Sequence, residues 1–322
     1  MAIIDKPSDF FNTKLYTGNG NSGHAQTGVG FQPNWVWLKE RSGTEYHNFY
    51  DSVRGVTKRL STQPAGAAQT TISGLTAFGS DGFTVGAADT ANKNSSTYVA
   101  WNWKKTADAG FDIVSYTGTG SNRTVAHNLG VVPQMIIVKR YNDGTASWMM
   151  YHQSLGNNKY LSLDSSAAED TGHWNSTSPT ASVFSVDTDQ RVNANSASYI
   201  AYVFAEKTGY SKFGSYTGNG NADGTFVYLG FKPAFVLYKK SSGIENWFMH
   251  DNKRQGYNPE NELLFPDLAN AESTDNRIDL LSNGFKAISS DGGINASGAT
   301  YIYMAFAENP FVASNFNAAT AR

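Results

Sequence analysis

Tyr16-Thr17-Gly18-Asn19-Gly20 returns as Tyr116-Thr117-Gly118-Thr119-Gly120 and again as Tyr216-Thr217-Gly218-Asn219-Gly220. The spacing is 100 residues both times. Gly30-Phe31-Gln32-Pro33, Gly130-Val131-Val132-Pro133 and Gly230-Phe231-Lys232-Pro233 keep that spacing, as do Lys39, Lys139 and Lys239. Further on, Phe83, Phe184 and Phe285 correspond. So do Tyr98-Val99-Ala100-Trp101, Tyr199-Ile200-Ala201-Tyr202 and Tyr301-Ile302-Tyr303-Met304. A repeat this long and this regular restricts the chain to three copies of one unit. A unit of about 100 residues is large enough to be a domain rather than a solenoid element.

Each copy has the pattern of strands. Trp35-Val36-Trp37-Leu38, Met135-Ile136-Ile137-Val138 and Phe235-Val236-Leu237-Tyr238 are apolar on both faces, as a strand covered on both sides must be. In the last strand of each copy one face is apolar at period two: Val99, Trp101, Trp103; Ile200, Tyr202, Phe204; Ile302, Met304, Phe306. Turn signals punctuate the runs, among them Ser80-Asp81-Gly82, Asn142-Asp143-Gly144 and Ser282-Asn283-Gly284. The pattern predicts an all-β chain of three tandem β-sandwiches of jelly-roll or immunoglobulin size, each filling its own small core. Residues 1–105 form the first with an N-terminal arm, 106–208 the second, 209–311 the third, and 312–322 a tail. Helical turns fit only at Ala65–Leu75 and Pro266–Ala271. The joints Lys104–Gly110 and Lys207–Gly209 are not Gly/Ser tethers, so the copies are expected to pack against one another. Residues 1–9 and 312–322 have no counterpart in the repeat and are expected to carry assembly contacts, with Phe316 as an anchor. The copies differ in charge. Residues 1–105 have 10 basic and 7 acidic residues, 106–208 have 6 and 9, and 209–322, which include the tail's Arg322, have 9 and 11, for nets of +3, -3 and -2.

Composition removes several function classes. Zero cysteine excludes a disulfide scaffold, a thiol nucleophile and a Cys-ligated metal. A net charge of -2 opposes broad binding to a nucleic-acid backbone. No apolar run approaches the roughly 20 residues of a membrane helix, and residues 1–6 do not read as a secretion signal. Gly18-Asn19-Gly20-Asn21-Ser22-Gly23 has the dinucleotide spacing but no helix follows, so it reads as a tight turn.

The six histidines, His24, His47, His127, His152, His173 and His250, include no pair at helical zinc-site spacing. Asp51, His152 and Asp251 recur after the second apolar strand and read as turn or capping residues. Glu260, Glu262, Asp267, Glu272, Asp275 and Asp279 read as a solvated acidic loop of the third copy rather than a glycosidase carboxylate pair. Asp187-Thr188-Asp189 lacks the Gly and Glu that complete a calcium loop. Asn94, Asn122, Asn175 and Asn295 head N-x-[ST] sequons, which carry no information without a secretion signal. Trp174, in the polar stretch His173-Trp174-Asn175, is a candidate exposed aromatic for sugar contact. No catalytic, cofactor or metal residue is assigned.

The repeat signature, Y-T-G-N-G, then G-F-x-P-x-x-V-x-x-K, then S-D-G-F, then Y-x-x-A-F-A-E, resembles a family of repeat proteins from tailed bacteriophages, abundant in marine phages. Its members are regarded as virion structural or tail-fibre-like proteins. All three copies carry the resemblance, and Asp5-Lys6-Pro7-Ser8-Asp9-Phe10-Phe11-Asn12 looks like the family's usual start. The first copy departs from it at Asn102-Trp103-Lys104-Lys105 and the second at Val131-Val132. The resemblance implies a non-enzymatic part of a virion, made in the host cytoplasm, most simply a tail fibre or tail appendage. Other virion proteins, further copies of itself and a host surface glycan are the implied partners. A head decoration protein, a carbohydrate-binding receptor module and a capsule-degrading enzyme are the alternatives.

Overall fold

The computed structural model describes residues 3–62, 66–142 and 146–312. The chain is all-β. In the first sequence copy the strands are β1 (Phe11–Thr17), β2 (His24–Thr27), β3 (Trp35–Glu40), β4 (Asn48–Asp51), β5 (Lys58–Ser61), β6 (Gln69–Thr70), β7 (Leu75–Gly79), β8 (Gly82–Val85) and β9 (Thr97–Trp103). The second has β10 (Phe111–Thr117), β11 (Arg123–Ala126), β12 (Met135–Arg140), β13 (Met149–His152), β14 (Lys159–Ser162), β15 (Asp170–Thr171), β16 (Val183–Val186) and β17 (Ser198–Phe204). The third has β18 (Ser211–Thr217), β19 (Phe226–Tyr228), β20 (Phe231–Lys240), β21 (Trp247–Asp251), β22 (Glu260–Leu263), β23 (Ser273–Leu281), β24 (Gly284–Ala287) and β25 (Thr300–Pro310). Helical turns occur at α1 (Asp89–Asn92) and α2 (Gln190–Asn193), and as 3-10 turns at Pro7–Asp9 and Gln153–Leu155. Residues 66–75 and 266–271, where a helical turn was expected, contain none.

Each copy contributes a large antiparallel sheet: β1-β9-β3-β4-β5-β6, then β10-β17-β12-β13-β14-β15, then β18-β25-β20-β21. Register is kept as well. Tyr16 faces Tyr98, Tyr116 faces Tyr199 and Tyr216 faces Tyr301. Trp35, Met135 and Phe235 face Trp103, Phe204 and Phe306. Smaller sheets, β2-β8-β7, β11-β16 and β19-β24-β23-β22, belong to the first, second and third copies.

Alternation decides what each face of a large sheet buries. The even positions of β3, Val36 and Leu38, pack with Phe83 and Val85 of the small sheet. The odd positions, Trp35 and Trp37, point the other way and join Ile137, Tyr202, Phe235 and Phe306 in one cluster drawn from all three copies. Among the described residues the cores are therefore not three but four, because the inner faces of the three large sheets share one. Rings meet there across copies: Trp35 stacks on Tyr202 at 4.5 Å, Phe49 lies 4.6 Å from Trp148, and Phe11 stacks on Phe306 at 5.2 Å.

Main-chain hydrogen bonds follow a cyclic order. Ala68 of the first copy donates to the Tyr141 carbonyl of the second at 2.8 Å. Glu169 of the second donates to Ser241 of the third at 3.0 Å, and Glu272 of the third donates to Arg41 of the first at 2.8 Å. Indole donors join two of the same neighbours in the opposite direction, Trp148 to the Ser61 carbonyl and Trp247 to the Ser162 carbonyl.

The N-terminal arm, which has no counterpart in the repeat, is part of this closure. Ile4 donates to the Thr208 carbonyl at 3.1 Å, and the Phe10 ring meets Tyr210 edge-on at 5.9 Å. Residues 313–322, with Phe316, lie outside the described residues. Among the described residues no helix is long and apolar enough to cross a membrane.

Because the inner face is shared, damage to it is felt by all three copies. Trp35→Ala is expected to cost about 3–5 kcal/mol. It should lower one common unfolding transition, followed by calorimetry, rather than detach a separately melting first copy.

Candidate functional site

The repeated polar positions are the natural place to look for a site. The Tyr-Thr-Gly-x-Gly motif folds as a turn over a fully buried asparagine: Asn92, Asn193 or Asn295. Asn92 Oδ1 accepts from the Asn19 amide at 3.0 Å, and its Nδ2 donates to the carbonyls of Asn21 and Gly86. Asn193 does the same for Thr119, Ser121 and Asp187, and Asn295 for Asn219, Asn221 and Ser289. A Cβ on Gly18 would sit 2.2 Å from the Lys93 carbonyl oxygen, and Gly20 has φ +69°. These two demands explain both glycines of the motif. Its amides are committed to the chain's own groups, the two glycines to backbone carbonyls and the residue between them to the asparagine Oδ1, and a strand rather than a helix follows in each copy.

Asp51, His152 and Asp251 are fully buried. One end of each side chain caps the following turn as expected. Asp51 Oδ1 accepts from Val53 and Arg54 amides, Asp251 Oδ1 from Lys253 and Arg254, and His152 Nδ1 from Ser154. The other end reaches the next copy, which the sequence reading missed. Tyr202 donates to Asp51 Oδ2 at 2.8 Å and Trp101 Nε1 donates to Asp251 Oδ2 at 3.0 Å. Burial and then the Asp51 carboxylate push the Tyr202 phenol well above its ordinary range, so it stays a donor. Arg54 and Arg254 neutralise the two aspartates at 2.5 and 2.6 Å.

In the third copy the position of Trp101 and Tyr202 is Met304, which has no proton to donate. The residue facing it is correspondingly His152. Its Nε2 donates to the Tyr303 carbonyl at 3.1 Å, and Leu155 replaces the arginine. This pairing of substitutions is the signal from which the contact was readable.

Lys39, Lys139 and Lys239 are also fully buried. Lys39 Nζ donates to the Glu40 carbonyl at 2.5 Å and to Gly43 at 3.0 Å. Lys239 repeats this on Lys240 and Gly243, and Lys139 donates to Ala146. Burial lowers all three to about 8. Asp164 and Asp267 accept the amides of Trp148 and Trp247, and burial raises both to about 6.

The acidic residues of the third copy are not a solvated loop. Glu260 is fully buried, and Asp267 nearly so. Glu272 holds Arg41 of the first copy at 2.6 Å and Arg254 at 2.9 Å, while Glu262 reaches Arg41 at 3.1 Å. Asp275 pairs with Arg277. Asp279 lies partly exposed on β23, where burial raises its carboxyl. Two arginines thus occupy the space between the carboxylates.

Trp174 is buried rather than exposed, and donates to the Lys159 carbonyl at 2.9 Å. Asp187 and Asp189 are engaged by local amides and Arg191. Of the sequon asparagines, Asn295 is the buried turn residue, Asn122 and Asn175 bond to each other at 2.7 Å, and Asn94 is exposed. Of the remaining histidines, His24 bonds Asn92, His47 accepts from Trp37, His127 faces the Thr180 carbonyl and His250 faces Tyr238. His173 lies on Tyr160 at 4.1 Å. Among the described residues no group of three His, Asp or Glu is placed to hold a metal.

These features define an all-β body whose recurring polar side chains are turned inward onto its own backbone. The chain belongs to the family described as Domain of unknown function (DUF7483), whose model matches residues 6–310 and so spans all three copies. No curated protein matches the chain.

Burial lowers His152 to about 4, against 6.5 for a free imidazole. Between these values the unfolded chain holds a proton that the folded chain does not, so His152 costs stability as pH falls through this window. Relative to His152→Gln, the wild type should lose about 1.4 kcal/mol per pH unit from 6.5 towards 4. Urea denaturation of both proteins across that range checks it.

Proposed function

We propose that this protein is a structural component of a bacteriophage virion, a tail fibre or tail-associated appendage, with no enzymatic activity. The observation that carries the reading is the division of labour between inside and outside. The positions that recur, the buried asparagines, lysines and Asp/His set, hold the chain's own turns and seams. The copies otherwise differ: residues 1–105 carry a net charge of +3, 106–208 of -3 and 209–322 of -2. A common interior under unlike exteriors suits a rigid block that meets a different neighbour on each side. A cysteine-free β-body serves in a particle that must survive outside the cell. The Glu262–Glu272 pair, locked by Arg41 and Arg254, leaves little room for a glycosidic bond and a water between carboxylates.

In lysates that produce this chain, the protein should co-sediment with infectious particles through a density gradient and be placed on the tail by electron microscopy of labelled particles. Its absence from purified particles would overturn the proposal. Purified protein incubated with host surface polysaccharide should release no reducing ends. Release abolished by Glu262→Gln would instead establish a hydrolase.

A further inference from the structure

The first copy buries a polar side chain where the other two bury apolar ones. Asn48 is fully buried on β4, at the position of Met149 in the second copy and Phe248 in the third. Its Nδ2 donates to the Tyr46 carbonyl at 2.9 Å and the Thr90 carbonyl at 3.3 Å, and its Oδ1 accepts from Arg59 Nη1 at 3.1 Å. Arg59 Nη2 donates to Gln69 Oε1. Tyr46, Arg59, Gln69 and Thr90 are thus tied together, and with Glu45 they line one recess. Tyr46 is 37% exposed at its edge.

The other copies show what this place ordinarily contains. Leu60 and Leu161 pair alike with Phe49 and Met150, so Arg59 corresponds to Tyr160. Thr90, two residues before the buried Asn92, corresponds to Arg191 and Gly293. In the second copy the two positions close on each other. The Arg191 guanidinium lies 5.4 Å from the Tyr160 ring, bonds its hydroxyl at 3.3 Å and is neutralised by Asp189 at 3.0 Å. In the third copy Gly293 makes room for Phe248 and Arg277, which a Cβ would meet at 2.5 and 2.7 Å, and Arg277 pairs with Asp275 and Asp291. The first copy has the guanidinium without the carboxylate. The two side chains bonded to Arg59 are neutral amides, and among the described residues no carboxylate pairs with it. Arg41, Arg54, Arg191, Arg254 and Arg277 each have one.

A guanidinium whose fork is held in place and whose charge is uncompensated is suited to a carboxylate. Glu45 adds an acceptor and the Tyr46 ring an apolar face. A carboxylate on a hydroxyl-bearing ring answers all three: its acid group meets Arg59, a hydroxyl donates to Glu45, and its C–H face lies on Tyr46. A bare inorganic anion would meet Arg59 alone and be repelled by Glu45. We infer that this recess of the first copy binds an acidic sugar, a hexuronate, with Arg59 as the residue that holds its carboxylate. The inference does not depend on where the protein sits in a particle.

Titration calorimetry of the full chain with tetrasaccharides containing D-glucuronate or D-galacturonate tests it. At least one should bind, and the same tetrasaccharide with its carboxyls reduced to alcohols should not. Arg59→Gln should weaken binding at least about tenfold, the loss expected for a hydrogen bond to a charged group. Arg123→Gln, which removes another arginine bonded only to carbonyls, should bind like the wild type. Tyr46→Ala should also weaken binding, and it carries the test should Arg59→Gln fail to fold. Failure of the wild type to bind either tetrasaccharide would overturn the inference, as would equal binding of the acid and reduced forms. Equal affinity in the wild type and the folded Arg59→Gln variant would do the same. Displacement of the sugar by an equal concentration of inorganic sulfate would make this a general anion site and overturn it too.

Discussion

A strand that is apolar on both faces needs cover on both sides, and three such strands in one chain can provide that cover for one another. Trp35 and Trp37 leave the first sheet on the side away from its small sheet, and neither ring is tolerable in water. The inner faces of the second and third sheets have the same need. One shared cluster satisfies all three, and the remaining inter-copy features follow from it. The cyclic main-chain hydrogen bonds, the Asp51 and Asp251 contacts and the Arg41–Glu272 pair all lie where the sheets converge. The seam between the first and third copies has no short joint to hold it. It carries the Arg41, Glu262, Glu272, Arg254 and Asp251 network, together with the Phe10 ring against Tyr210.

Much of this was legible in the sequence because β-structure writes itself at period two. The strand positions, the alternation of Val99, Trp101 and Trp103, and the packing of copies across short joints all follow from local pattern. What the pattern does not contain is the partner of an apolar face. The inner residues were assigned to three private cores because nothing in a 100-residue spacing distinguishes a face covered by a loop from one covered by another copy. Trp174 was misread for a related reason. Its sequence neighbours are polar, but the backbone at His173, with φ +74°, turns the indole inward.

The acidic residues of the third copy failed as a solvated loop because their partners are distant in sequence. Arg41 lies more than 200 residues from Glu272, and only the cyclic packing brings them together. Asp51, His152 and Asp251 were half legible. A polar residue at a strand end signals a cap, and each is one. The second contact was encoded in a comparison between copies, where His152 and Leu155 replace Asp and Arg opposite Met304. Internal repeats thus supply their own small alignment, and compensating differences within them report contacts that identical positions conceal.

A single copy is not an independent domain, although its length is that of one. Expressing residues 106–208 alone tests this directly. The fragment would expose Ile137, Trp148, Tyr202 and Phe204 on its inner face, all buried in the full chain. By circular dichroism and sedimentation at low concentration, it should show no cooperative thermal transition as a monomer. A monomeric fragment that melts cooperatively, near the temperature of the whole protein, would contradict the account.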